Sequence, residues 1–249
     1  MADWKALETE LALWRESGQQ ATLWWRDDDA ERPSDALEQL IEISDRFHVP
    51  LALATIPAGA EASLAERVKQ ASAVSVLQHG FSHLSHVPPS ERKCELGNHR
   101  PLAEITDELG KGQAKLAELF GDAFLPVLVP PWNRLGEQVI DALPGLGFTG
   151  LSTLGPRSCK QKRLIEVNVH ADLINWKAGR CFAGEERSLA QIITHLQQRR
   201  LGEVDSSEPT GVMTHHLVHD EGVWAFLPQL FDLTLKAGAH WCTAKEIFS

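Results

Sequence analysis

The chain has 249 residues, 43% of them hydrophobic and 23% charged, with a formal net charge of −10. That length allows one large α/β domain or two small ones, and the acidic balance excludes phosphate-backbone binding as the main task, so no nucleic-acid partner is expected. No apolar run is long enough to span a bilayer and the first ten residues are polar and acidic, so the expectation is a cytoplasmic protein without a transmembrane segment.

Residues 3–17 read as an amphipathic helix, with Trp4, Leu7, Leu11 and Trp14 at helical spacing. An apolar run at 21–26 reads as a strand that stops at Asp27-Asp28-Asp29. Pro33-Ser34 then opens a helix carrying Leu37, Leu40, Ile41 and Phe47. A strand is expected from Val49 to Thr55, a short helix from Ala62 to Ala71, and a third strand from Val74 to Leu77, ending at His79. The long polar segment 78–100 holds His79, His83, His86 and His99, and a loop of that length inside a compact domain usually has a function. Pro101 starts a helix to about Phe120, and Leu125–Val129 is a strand cut off by Pro130-Pro131-Trp132. Helix 136–143, strands 147–152 and 164–169, helix 188–199, strand 211–215, helix 222–237 and a short element at 240–247 complete the alternation. Strands alternating with helices imply a parallel sheet, and this number of units over one chain suits a closed barrel better than an open sheet. The whole chain, 1–249, is expected to form one barrel domain, with the helix in residues 1–20 packed on it. Four scattered cysteines, Cys94, Cys159, Cys181 and Cys242, have no C-x-x-C spacing and predict reduced thiols.

The polar residues fall at strand ends. Asp27-Asp28 follow the first strand and His79 and His83 the third. Pro131-Trp132-Asn133-Arg134 follow the fourth, Asp172, Asn175 and Trp176 the strand ending near Val169, and His215-His216 the strand at 211–214. In a βα barrel all of these gather on one face. Three adjacent carboxylates repel unless a cation or proton offsets them. One carboxylate with a His-x-x-x-His pair is a donor set for a divalent metal with open positions. Taken singly, each piece has a plain alternative: a solvated turn for the aspartates, polar loop residues for the histidines, a strand stop with a packed aromatic for Pro-Pro-Trp. His170, His195 and His240 are taken as structural.

With these segments in place, the chain resembles the polysaccharide deacetylase (NodB-homology) family. Asp27-Asp28 resembles its Asp-Asp pair, His79-Gly80-Phe81-Ser82-His83 its His-x-x-x-His motif, and Pro130-Pro131-Trp132 one groove wall. Asp172-Leu173-Ile174-Asn175-Trp176 resembles the other wall, and Thr214-His215 the segment that carries the general acid. The resemblance spans residues 21 to about 220. It implies a distorted (β/α)7 barrel and a metal-dependent hydrolase of a non-peptide carbon–nitrogen bond, most simply a deacetylase of an N-acetylated sugar or sugar-containing precursor. It implies Asp27 as base, His215 as acid, and Asp28, His79 and His83 as ligands of one divalent ion. Zinc is the first choice, with cobalt, nickel or manganese as alternatives. Pro131, Trp132, Asn133, Arg134, Asp172, Asn175 and Trp176 are expected to bind a small-molecule or oligosaccharide substrate. Arg26, Asp29, His99, Arg100, His216 and His219 are candidates to support these groups from behind.

Three departures stand out. Asp29 occupies the place of a Gly, Val129 that of an Arg, and Asn175 that of an Asp. Asp29 is therefore a turn residue or a sign that the register is displaced by one, and Arg26, Arg100 and Arg134 are the candidates to supply the charge missing at Val129. A ureide or small-amide hydrolase, a two-His-one-carboxylate iron oxygenase and a non-catalytic carbohydrate binder are the competing readings.

Overall fold

The computed structural model describes residues 2–71 and 73–249; Met1 and Ser72 lie outside them. Helix α1 (Trp4–Glu16) is capped by the Asp3 side chain and lays Leu7, Leu11 and Trp14 inward. Strand β1 (Thr22–Ala30) follows, then α2 (Asp35–Phe47), capped by Ser34, and β2 (Leu51–Thr55). Next come α3 (Ala62–Lys69), β3 (Val74–His79), α4 (Leu102–Phe120) and β4 (Phe124–Val129). Helix α5 (Glu137–Ala142) leads to the short strands β5 (Gly150–Leu151), β6 (Ile165–Glu166), β7 (Ala171–Asp172), β8 (Ile174–Asn175) and β9 (Cys181–Phe182). The chain ends with α6 (Glu185–Leu201), β10 (Thr210–Thr214), α7 (Glu221–Lys236), β11 (His240–Trp241) and α8 (Ala244–Ile247).

The main sheet runs β6-β5-β4-β3-β2-β1-β10-β7, with every pair parallel. Its two ends belong to one stretch of chain. The amides of Ile165, Val167 and Val169 bond to carbonyls of Thr149, Leu151 and Thr153 beside β5, whereas those of His170 and Leu173 bond to Gly211 and Met213 in β10. That stretch closes the curled sheet, giving the expected (β/α)7 barrel.

Two apolar compartments follow from strand alternation. Trp24, Ala52, Ala54, Leu77, Val129, Val169 and Met213 point inward and are sealed at the bottom by Ala244 and Phe248. Leu23, Trp25, Leu51, Leu53, Val76 and Val212 point outward against the helices, α1 included. A third cluster joins Ile105, Leu109, Val139 and Leu143 of α4 and its neighbours to Leu128 and Leu151. The large Trp24 indole fills the interior beside the small Ala52 and Ala54, and its Nε1 donates to the Asn168 carbonyl at 3.0 Å. No helix among the described residues is long and apolar enough to cross a membrane.

Two expectations shift. The first strand runs on through the aspartates to Ala30 instead of stopping at residue 26, because Asp27 and Asp28 still pair with Leu53 and Ala54 of β2. The β8–β9 hairpin inside segment 172–184, invisible as a hydrophobic pattern, is antiparallel and lies outside the barrel ladder.

Trp24→Ala removes the largest side chain of the barrel interior. It is expected to cost about 3–5 kcal/mol, read as a lower urea midpoint with an unchanged m value.

Candidate active site

Alternation along β1 assigns each residue of Arg26-Asp27-Asp28 a side. Arg26 and Asp28 follow Trp24 to the inside; Asp27 follows Trp25 to the helix side. The Arg26 guanidinium, fully buried, holds Asp28 in a fork, Nε to Oδ1 at 2.8 Å and Nη2 to Oδ2 at 3.0 Å. Its remaining donors reach Ser152 Oγ (2.7 Å), Asn133 Oδ1 (3.0 Å) and Met213 Sδ (3.1 Å). Strict alternation would send Asp29 outward with Asp27. Instead the pairing with β2 slips by one residue between Asp28 and Ala30, and Asp29 takes a positive φ of 75°. This bulge returns the Asp29 carboxylate to the barrel mouth.

The expected register is therefore displaced by one. Asp29, not Asp28, meets the histidines: its Oδ1 lies 3.2 Å from His79 Nε2 and 3.4 Å from His83 Nε2. Asp27 does not face the cleft. Its carboxylate accepts from Thr214 Oγ1 (2.7 Å), the His216 amide (2.9 Å) and His216 Nδ1 (2.5 Å). Burial pushes the Asp27 carboxyl up, but the His216 charge and these hydrogen bonds outweigh it and its pKa falls below the usual value. His216 is likewise penalised by burial and raised on balance by Asp27. His219 packs edge-on against Trp224 beside this pair, and burial takes its pKa down to about 4. Asp220 caps α7 through the Val223 amide and also accepts from the Phe182 amide.

The loop after β3 is clamped by Glu95, which is fully buried and accepts from the amides of Phe81 and Ser82 and from Ser82 Oγ. Gly80 sits between the histidines at φ +56°, where a Cβ would fall 2.0 Å from Glu95 Oε2 and 2.6 Å from Pro131 Cγ; only glycine fits. His79 Nδ1 lies 3.0 Å from the Val129 carbonyl. A carbonyl only accepts, so Nδ1 carries the proton and Nε2 is the nitrogen turned to the mouth, available as a ligand when it is unprotonated. Asp29 Oδ1 is buried without a hydrogen-bond donor. An orphaned carboxylate oxygen and two imidazoles, with donor atoms all within 4.8 Å of one another, fit a divalent cation.

These groups floor a cleft of about 570 Å³. Trp132, Asn133 and Arg134 form one wall and Asp172, Trp176 and Met213 the other, with His215 between. His83 packs on Trp132 at 4.4 Å between ring centroids, and His215 meets the Trp176 edge at 4.6 Å. Trp176 is itself held by Nε1 donating to Asp172 Oδ2 at 2.8 Å. Burial raises the Asp172 pKa, with His215 acting the other way. His215 Nε2 is 3.9 Å from Asp28 Oδ2, and its Nδ1 is buried without a partner. Of the six non-glycine residues with positive φ among the described residues, five line this cleft: Asp29, His83, Trp132, Asn133 and Arg180. Such backbone is costly and persists where packing holds it, commonly at functional sites.

Some expected residues lie elsewhere. Pro131 is buried under the wall against Gly80. Asn175 belongs to the β8–β9 turn, its Oδ1 accepting from the Ala178 amide, and this turn is what swings Trp176 and Arg180 to the cleft. His99 pairs with Glu91, and Arg100 forks onto Glu108 of α4 while donating to His86; they pin the long loop and stay outside the cleft. Glu95, Lys93, Ser152, Leu154, Arg180 and Met213 support or line the site without having stood out in the sequence, because no local pattern marks them.

A second cavity, about 610 Å³, lies beside α6 and contains His170, His195 and Glu208. It does not suit a metal. His170 Nδ1 accepts from the Gly211 amide, so the proton sits on Nε2 and no lone pair is left. The two imidazoles stack 3.3 Å apart at 14°, so their in-plane lone pairs run side by side and do not converge. Burial, with His170 and Arg199 nearby, takes the His195 pKa down to about 3.

No protein-family model and no curated protein matches the sequence. Solved structures do match the fold. A putative polysaccharide deacetylase from Mycobacterium smegmatis superposes with a TM-score of 0.62 at 17% identity, over 92% of this chain and 89% of that one. A peptidoglycan N-acetylglucosamine deacetylase in complex with an N-oxidanyl-benzamide compound gives 0.56 at 16%, over 94% and 95%. A family 4 acetyl xylan esterase from Clostridium thermocellum, in complex with a cobalt ion, gives 0.52 at 13%, over 91% and 90%. The chain has the fold of these deacetylases and esterases.

Arg26→Met leaves Asp28 buried and uncompensated and is expected to cost about 3–5 kcal/mol. Adding Asp28→Leu should recover much of that in urea unfolding; additive losses would show that the fork is not the source. The Asp27–His216 pair gives a pH signature. His216, with its pKa raised, contributes fully below about 6.5, its unfolded value, and loses this as pH rises through the folded one. Asp27, with its pKa lowered, contributes above about 3.9 and loses this as pH falls through its folded value. The stability difference between wild type and His216→Gln should therefore shrink from pH 6 to pH 9. A difference flat across that range would rule out an ion pair.

Proposed function

We propose that this chain is a metal-dependent hydrolase of an amide carbon–nitrogen bond, removing an acetyl or similar small acyl group from an amino sugar or a precursor containing one. The observation that carries the reading is the convergence, in one cleft, of Asp29, His79 and His83 as metal donors with Asp28 and His215 facing the same space. The fold shared with deacetylases and esterases supports it. A divalent ion held by the donor set, zinc first by its two-imidazole, one-carboxylate character, would supply a lowered pKa for water and polarisation of the acyl carbonyl.

The remaining chemistry belongs to the chain. Asp28 is the base that takes the proton from the attacking water. The Arg26 fork fixes both its oxygens and offsets its charge, standing in for the family arginine absent at Val129. His215 Nε2 delivers a proton to the departing amine, with the Trp176 edge setting the plane of its ring. Trp132 and Trp176 offer flat apolar faces for a sugar ring. Asp27 acts at one remove: by accepting from the His216 amide and Thr214 it fixes the end of β10 from which His215 projects. A buried base with its own guanidinium, together with an acid across from it, also argues against a binder without chemistry.

Metal content after reconstitution, measured beside acetate release from N-acetylglucosamine and its oligomers, tests the assignment. Asp29→Asn and His83→Ala should lose the ion. Asp28→Asn and His215→Ala should keep it and lose roughly 10²–10⁴ in rate. Tight metal retention by Asp29→Asn, or loss of the ion in Asp28→Asn, would return the ligand role to Asp28.

A further inference from the structure

Three cations line the cleft: Lys93 and Arg134 on the Trp132 side and Arg180 on the Trp176 side. None has a carboxylate partner among the described residues. Each is held in another way. Lys93 Nζ lies 5.9 Å over the Trp132 ring, Arg134 Nη1 donates to the Lys93 carbonyl at 2.9 Å, and the Arg180 guanidinium lies 5.4 Å over Trp176. Lys93 and Arg180 are exposed and Arg134 half-buried, so the three stand at the rim.

The carboxylates that line the cleft, two on its floor and Asp172 in a wall, are each engaged. Asp28 is forked by Arg26, Asp29 faces the two imidazoles, and Asp172 accepts from Trp176 Nε1 and the Ile174 amide. A divalent ion on Asp29 more than balances that carboxylate and Arg26 matches Asp28, so among the described residues Asp172 is the one lining carboxylate without an ionic partner and cannot balance three rim cations. The whole chain carries −10, a field that repels anions unless a local cluster reverses it. The cleft volume suits a small ligand of roughly sugar size.

We infer that the substrate is an acylated amine bearing an anionic group, a phosphate or a carboxylate, which Lys93, Arg134 and Arg180 hold at the rim while the acyl group lies over Asp28 and His215. This rests on the hydrolase reading above, from which it takes the position of the acyl group. Guanidinium groups suit both anions because their paired N–H donors match two oxygens.

The test uses the full-length, metal-loaded protein. Calorimetric titration compares N-acetylglucosamine, N-acetylglucosamine 1-phosphate and N-acetylmuramic acid, the second and third separating phosphate from carboxylate. At least one anionic compound should bind about tenfold tighter than the neutral sugar in about 50 mM salt, with the advantage falling several-fold in about 0.5 M salt. The double variant Lys93→Gln/Arg180→Gln, which changes only exposed side chains, should reduce the advantage to about twofold or less at low salt. Equal binding of all three compounds overturns the inference. So does an advantage that persists in the double variant, since Lys93 and Arg180 would then not be what holds the anion. Acetate release, followed in parallel, keeps the two claims apart. Release from the neutral sugar without anion preference defeats this inference and leaves the hydrolase standing; anion preference without release from any compound does the reverse.

Discussion

The mouth of the barrel is organised around one buried guanidinium. Taking Arg26 out of water is expensive and is tolerated only where its donors and charge are matched. Here Asp28 supplies the charge on the same strand, and Ser152, Asn133 and Met213 supply acceptors from beyond β5, beyond β4 and from β10. The side chain thus ties together four segments far apart in sequence. It orders the loop carrying Trp132 and the strand leading to His215, and it leaves Asp28 a single orientation. The acid–base geometry proposed for the cleft depends on that fork.

Where the fork holds Asp28, the neighbouring residue must leave the strand pattern. Three consecutive carboxylates on a regular strand would divide between two faces, and the outward position is taken by Asp27 with its histidine. The bulge at Asp29 resolves this by adding a residue on one side of the β1–β2 pair. The same economy recurs around the rim, where His83, Trp132 and Asn133 accept left-handed backbone in exchange for aiming their side chains inward. Their strain is offset by burial beneath them: Glu95 under the histidine loop, and Pro131 against Gly80 under the aromatic wall. The cleft is thus built on packed elements, the condition under which polar groups hold their positions.

Much of this was legible in the chain. The long helices and the buried strands β2, β3, β4 and β10 announce themselves by hydrophobic spacing, since burial against a barrel dictates that spacing. The five polar segments at strand ends could be recognised as one site because parallel strands send their carboxyl ends to one face. The short strands β5 to β9 were less readable. Two residues carry no period, and their pairing is dictated by neighbours. Glu95, Ser152 and Arg180 stayed hidden because what makes them part of the site is a contact across tens of residues.

The sequence by itself determined the fold class, the assembly of one polar site and the residue types it contains: carboxylates, imidazoles, indoles and a cationic residue to be found. Only the tertiary structure decided which partner each aspartate meets. Three identical side chains in a row are equivalent to any local rule. Their roles separate only when β10 and His216 claim Asp27, Arg26 claims Asp28, and a slip in pairing with β2 turns Asp29 toward His79 and His83. The same holds for the choice of Arg26 over Arg100 and Arg134 as the charge behind Asp28. All three were available in the chain, and distance alone selected the one on the same strand.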